Sequence, residues 1–263
     1  MAEIPRMTTA GVVRIGLALG LCAVWTLATW WFEGRIRTFS RPDAVLDRLV
    51  YAVVANIVIG VFAAAALLRF LTRDDPGGRA LAGFGSWRRT AFRAPLAFAA
   101  GFGLYVVQGA PATGPVVLLN AYAQVFVVSA AEVMVCWSVL GTMVALGIDA
   151  PKWAAFSVAA IVASAVFGVY HFAHSAPFNT VGMVGLLSAV GLLTSIVFFL
   201  SRDAYATILF HNFLGTFGVV QALAAQGKLD AFQTVEVPLV VTALAALCVL
   251  IGADRWLVRR GAP

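Results

Sequence analysis

The sequence predicts an all-α fold, a polytopic membrane helix bundle of about eight transmembrane helices forming one membrane domain over residues 1–263. Three observations predict it. Hydrophobic residues make up 62% of the 263-residue chain and charged ones 11%, against roughly 25% charged in an ordinary globular protein. Apolar runs recur near the roughly 20 residues that a helix needs to cross a hydrocarbon core. Charges and prolines gather between those runs, where the backbone can meet water.

Cut at charges and prolines, the runs give eight predicted spans: 12–32, 49–71, 95–110, 116–148, 153–174, 180–200, 204–226 and 235–253. The first follows Arg6 and Arg14 as a secretory leader would, but it is too long and ends in Trp30-Trp31-Phe32-Glu33 without a small-residue cleavage site, so it reads as a retained span. Pro95, Pro111 and Pro115 punctuate the third and fourth. The run 116–148 exceeds one crossing, which predicts a tilt, an interfacial portion or a break near Ser129. Gly16/Gly20, Ala63–Ala66 and Gly182/Gly185 offer small faces for close helix packing.

The formal charge is +6, from 18 Lys and Arg against 12 Asp and Glu. The basic residues cluster between spans and are not interleaved with aromatics along a groove, which argues against nucleic acid and for anionic membrane lipids as partners. With both termini inside, thirteen basic residues fall in inner segments and five in outer ones. Positive charge is retained in the cytoplasm, so the N and C termini are predicted to be cytoplasmic. Few lysines beside many alanines and arginines point to a GC-rich bacterial genome and the plasma membrane. The hydrophilic stretch Arg69–Arg93 reads as a topology anchor. Cys22, Cys136 and Cys248 lie in apolar runs with no CxxC pair and read as core residues.

Ionisable groups inside spans are costly and need a reason to be there. Eleven of the twelve acids fall in loops or at span ends, Glu33 among the latter, and Glu132 alone lies deep in an apolar run. All three histidines belong to spans or their ends: His171 and His174 close the fifth and His211 lies inside the seventh. The simplest account is one site built from Glu132, His171 and His211. A carboxylate in an apolar setting suits a general base that takes a proton from water; one histidine opposite it holds that water and a second faces an oxyanion, which together amount to amide hydrolysis. A divalent metal such as zinc, held by His171 and His211 with Glu132 behind them, stays open, although no HExxH is present. His171 and His211 as axial haem ligands, or Glu132 in proton-coupled transport, are weaker readings, the latter because broken-helix repeats are missing.

At these residues the chain resembles the CPBP family of intramembrane proteases, the CAAX prenyl endopeptidase or Abi type, over about residues 116–225. Its EExxxR, FxxxH and HxxxN motifs match Glu132-Val133-Met134-Val135-Cys136-Trp137-Ser138, Phe167-Gly168-Val169-Tyr170-His171 and His211-Asn212-Phe213-Leu214-Gly215. The resemblance implies an intramembrane endopeptidase, a hydrolase sometimes classed as a metalloprotease, acting on a peptide or membrane-protein substrate. Glu132 would activate water, His171 would help hold it and His211 would face the oxyanion. Val133, Trp137 and Gly215 stand where the family has Glu, Arg and Asn. The alternative is therefore a weak or inactive scaffold that binds a partner membrane protein. Three further residues are expected in support. Phe167 packs behind His171, His174 on the same helix face reads as a helix-end residue meeting interfacial water, with a partner standing behind the site as the alternative, and Asn212 supplies an amide only if the helix is irregular. Depth is a difficulty: His171 lies about 28 Å along its helix from Lys152, whereas His211 is about 12 Å beyond Asp203.

Overall fold

Eight helices of the computed structural model are long and apolar enough to cross a bilayer, the architecture of an integral membrane protein. Residues 6–38, 41, 44–111 and 114–258 are described. Arg259, Arg260, Glu3 and Asp43, which entered the charge assignments, lie outside them. The helices are α1 (Thr9–Gly34), α2 (Val45–Leu71), α3 (Trp87–Val107), α4 (Pro115–Gly147), α5 (Lys152–Ala173), α6 (Val181–Ser201), α7 (Ala204–Ala225) and α8 (Val237–Val258). Two-residue strands β1 (Arg6–Met7) and β2 (Ile148–Asp149) pair antiparallel beside the start of α1.

Contacts at the helix ends describe an up-and-down bundle. One end is tied by Thr8 N–H to the Gly147 carbonyl (3.3 Å), Ala204 N–H to the Gly83 carbonyl (3.0 Å), and the Arg69 guanidinium to the Trp256 and Leu257 carbonyls. The other is tied by Ser175 to Glu33 and by the Asn120 amide to the Phe232 and Thr234 carbonyls. The first end carries the Arg69–Arg93 segment. That segment is folded: Asp75 accepts from Gly78 N–H at the start of a short helix, Pro76–Leu81, and buried Arg79 donates to the Thr72 and Arg73 carbonyls.

The central element is α4, buried from Ala123 to Ala145, with Leu119 in its first turns 44% exposed. It does not break at Ser129. It runs as an α-helix to Glu132 and then through wide i→i+5 turns over Val133–Gly141. Being encircled by protein explains how 33 residues stay helical without having to match one bilayer thickness. The third span also differs from expectation: α3 starts eight residues before Pro95, which lies inside the helix. Gly16, Gly20, Gly182 and Gly185, expected to seat neighbouring helices, face open space, whereas Ala64 and Ala65 are buried. Cys248, expected in the core, is exposed, while Cys22 and Cys136 are buried. In both cases periodicity locates a small face without saying which way it points.

Candidate functional site

Glu132 is the last residue of the regular part of α4, and its carboxylate lies between two histidines from different helices. His211 Nε2 on α7 donates to Glu132 Oε2 at 2.9 Å. His171 Nε2 on α5 stands 3.6 Å from the other oxygen, Oε1. All three side chains are buried, at 2–7% exposure. Because Glu132 stands between His171 and His211, these two are not disposed as facing axial ligands of a haem.

The two histidines nevertheless reach the same carboxylate, so the depths counted along the helices do not keep them apart. At the other end Arg202, just past α6, lies over the Phe156 ring of α5 at 5.5 Å. The α5 helix ends at Tyr170, and the His171 ring folds back to place Nδ1 2.8 Å from the Phe167 carbonyl. The imidazole thus reaches one turn toward the middle of the bundle.

Those contacts determine tautomers. A carbonyl can only accept, so His171 Nδ1 carries the proton and a neutral ring presents a lone pair on Nε2 toward Glu132. At 3.6 Å this is too long for a hydrogen bond, and two acceptors face each other. His174 follows the same logic. Its Nδ1 lies 3.1 Å from Glu33 Oε2, and Glu33 also accepts from Ser175 N–H at 2.8 Å and from the Ser175 hydroxyl at 2.5 Å. A carboxylate taking three hydrogen bonds leaves the proton on His174 Nδ1 and the lone pair on Nε2. For His211, donation from Nε2 to Glu132 leaves Nδ1 to accept from the Thr194 hydroxyl at 2.8 Å.

Glu132, His171 and His174 therefore turn acceptor atoms toward one another, all within 4.8 Å, and this buried group could hold a metal ion. This group shares His171 with the expected pair His171/His211 and has His174 and Glu132 in place of His211, whose Nε2 is directed at the carboxylate. Tetrahedral zinc ligands at 2.0–2.1 Å stand about 3.4 Å apart, close to the 3.6 Å between His171 and Glu132. Each histidine has its other ring nitrogen fixed by a carbonyl or carboxylate, the arrangement that orients metal-binding imidazoles. The residues present fit a divalent ion.

His174 is not the water-facing helix-end residue expected from sequence. The helix has given way to a 3-10 turn over His171–Ala173 and an extended His174 (φ −84°, ψ 168°), which brings the two rings to a 5.1 Å stack. Glu33, read as a span-end acid, is fully buried. Gly34 makes this possible: a Cβ there would overlap the Ala173 carbonyl, so only glycine lets α1 approach the turn that holds His174. An acid in the last turn of an apolar run was the available signal, and it does not distinguish a buried group from the first residue of a loop.

Phe167 packs edge-on against both His171 and His211, with ring centroids at 4.7 and 5.1 Å. Asn212 does not reach the site; its amide donates to the Tyr122 carbonyl at 3.1 Å, as the roughly 100° step per residue from His211 requires. Trp137 donates to the Ser195 hydroxyl at 2.7 Å and lies 5.5 Å from the His211 ring. A Cβ on Gly215 would stand 2.7 Å from Val125 Cγ1, so the position matching the family's asparagine has no room for a side chain. A cavity of about 80 Å³ opens over Glu132 and the three histidines, and its remaining walls are apolar or glycine, including Val128, Phe178, Leu187 and Leu214.

No protein-family model, curated protein or solved structure matches this chain. The resemblance to CPBP proteases rests on the motif residues alone.

Proposed function

We propose that this chain is an intramembrane endopeptidase of the CPBP type in which Glu132 activates water. One observation carries the reading: a buried carboxylate faces imidazole lone pairs across a gap too long for a hydrogen bond, beside an apolar cavity. A water about 2.8 Å from each acceptor donates one hydrogen to Glu132 and the other to His171 or His174. Glu132 takes its proton as the water oxygen bonds to the peptide carbonyl carbon and the carbonyl π pair moves onto oxygen. Collapse of that oxyanion breaks the C–N bond, and the proton passes from Glu132 to the leaving nitrogen. His211 acts here by holding the Glu132 carboxylate through Nε2, more than as an oxyanion donor. With glycine at 215 an oxyanion donor is missing, which costs about 10²–10³ in rate, so slow turnover is expected.

Glu132→Gln tests this. Cells expressing the wild-type chain should accumulate new membrane-protein N-termini that cells expressing the variant at equal level lack; identical N-termini would favour a scaffold that binds a partner membrane protein. The composition supports the bacterial plasma membrane, and the charge count supports the arginine-rich end in the cytoplasm, which sets the Glu33–Ser175 end outside.

A metal-dependent version is favoured by the convergence of Glu132, His171 and His174. Bound zinc supplies Lewis acidity and a more acidic water. In that version Glu132, His171 and His174 would hold the ion, His211 would still steady the Glu132 carboxylate and Glu33 would orient His174 from behind, and Glu132 would serve as a ligand instead of as the base.

A further inference from the structure

We propose that the crevice between α3, α5 and α6 at the arginine-rich end binds the phosphate headgroup of an anionic phospholipid. The crevice is open to the surroundings and has a volume of about 520 Å³. Arg89 and Arg93 enter it from α3, one turn apart and so on one face, and Arg202 enters from the turn after α6. Arg202 holds a left-handed backbone (φ 48°) and its guanidinium lies over Phe156. Arg93 is held at the crevice wall by donation to the Ser201 carbonyl.

The three cations lack a counter-charge. No Asp or Glu lines the crevice, and among the described residues none of the three forms an ion pair. The carboxylate next in sequence, Asp203, is turned inward, accepting from the Thr90 hydroxyl at 2.6 Å and from Ala206 N–H at 3.0 Å. Three guanidinium groups around one opening suit a phosphate, whose oxygens accept paired N–H donors.

The remaining walls identify the source of that phosphate. Phe156, Ile196, Phe199 and Leu200 continue from the basic rim down the crevice, and Ile196 and Leu200 are 55% and 78% exposed. A free phosphate or a nucleotide would leave this apolar wall uncovered. A phospholipid places its headgroup at the helix ends and an acyl chain along Ile196 and Leu200, as an element spanning a bilayer requires. The proposal is independent of the chemistry at Glu132.

The test is lipid retention. The full chain is reconstituted in nanodiscs of phosphatidylglycerol and phosphatidylcholine, extracted in mild detergent, and the lipid left on it is counted by native mass spectrometry. Wild type is expected to retain phosphatidylglycerol preferentially, by about fivefold per arginine engaged, and less at high salt. Arg89→Gln/Arg93→Gln/Arg202→Gln should retain the two lipids in their bulk ratio. Arg73→Gln/Arg88→Gln/Arg255→Gln removes as many charges from the same end outside the crevice and should keep the preference. Arg89→Gln alone, at an exposed position, should weaken it, so the test holds even if the triple variant folds poorly. A wild-type chain without preference, equal losses in both triple variants, or inorganic phosphate retained in place of lipid overturns the proposal.

Discussion

Glu33→Ala is the most incisive perturbation of the site, because it acts on His174 without touching Glu132, His171 or His211. In the structure Glu33 satisfies three donors: His174 Nδ1, Ser175 N–H and the Ser175 hydroxyl. The hydroxyl can turn to another acceptor and the imidazole can move its proton to Nε2, but the Ser175 N–H has no such freedom, and a buried donor left unsatisfied costs about 1–3 kcal/mol. The expected loss of stability is thus about 1–3 kcal/mol, a sizeable share of the 5–15 kcal/mol that typically holds a domain folded. Glu33→Gln is the companion. Its amide oxygen can take the place of Oε2 and serve His174 and Ser175 N–H, while its NH2 donates to the Ser175 hydroxyl, so the geometry survives and only the charge is lost.

With only three histidines in the chain, ¹⁵N-histidine NMR in micelles gives six ring resonances, enough to assign every tautomer by single His→Ala variants. Wild type should show His171 and His174 both protonated on Nδ1. Glu33→Ala should release His174 to a mixture of tautomers and lower zinc affinity about 10–100-fold. Glu33→Gln should preserve the tautomer and restore most of that affinity. An unchanged His174 tautomer in Glu33→Ala would refute the assignment of Glu33 as the residue that positions this ring. A wild-type chain with the expected tautomers but no zinc affinity would instead remove the metal reading and leave the positioning role intact.

Other consequences follow from the same geometry. Gly215→Asn should lose about 1–3 kcal/mol from overpacking against Val125, visible as a lower Tm; Val125→Ala in the same chain should recover part of it and, if a missing oxyanion donor limits turnover, raise cleavage above wild type. Thr194→Val removes the partner of His211 Nδ1 and should slow cleavage with little change in zinc affinity, whereas a parallel fall in both would place His211 among the metal ligands. Zinc titrated into purified metal-free protein should bind once per chain, and His174→Ala should weaken that binding at least tenfold; retention of full affinity would return the ligand set to His171 and His211.

How much of this could be read from the chain differs by element. All eight helices were legible because a bilayer demands about 20 apolar residues per crossing and leaves little ambiguity over so many runs. Helix ends were less so. Pro95 marks a boundary only where its missing N–H matters, and within α3 it is accommodated; the long run of α4 is one helix because surrounding helices bury most of it. At the site, Glu132, His171 and His211 stand out by their cost inside apolar sequence. Glu33, Thr194 and the inward position of His174 do not, since each depends on another segment's approach: Gly34 against Ala173, α6 against α7, and a helix that ends at Tyr170.

The order of apolar and polar residues by itself determined that this is a helical membrane protein and which few ionisable groups its bundle has to hide, because transfer free energies act on each residue where it stands. Only the tertiary structure decided which of those groups meet, how each imidazole is protonated and which side chain stands behind it. Those outcomes depend on angstrom-scale contacts between segments more than a hundred positions apart, Glu33 and His174 among them, and no local pattern records such contacts.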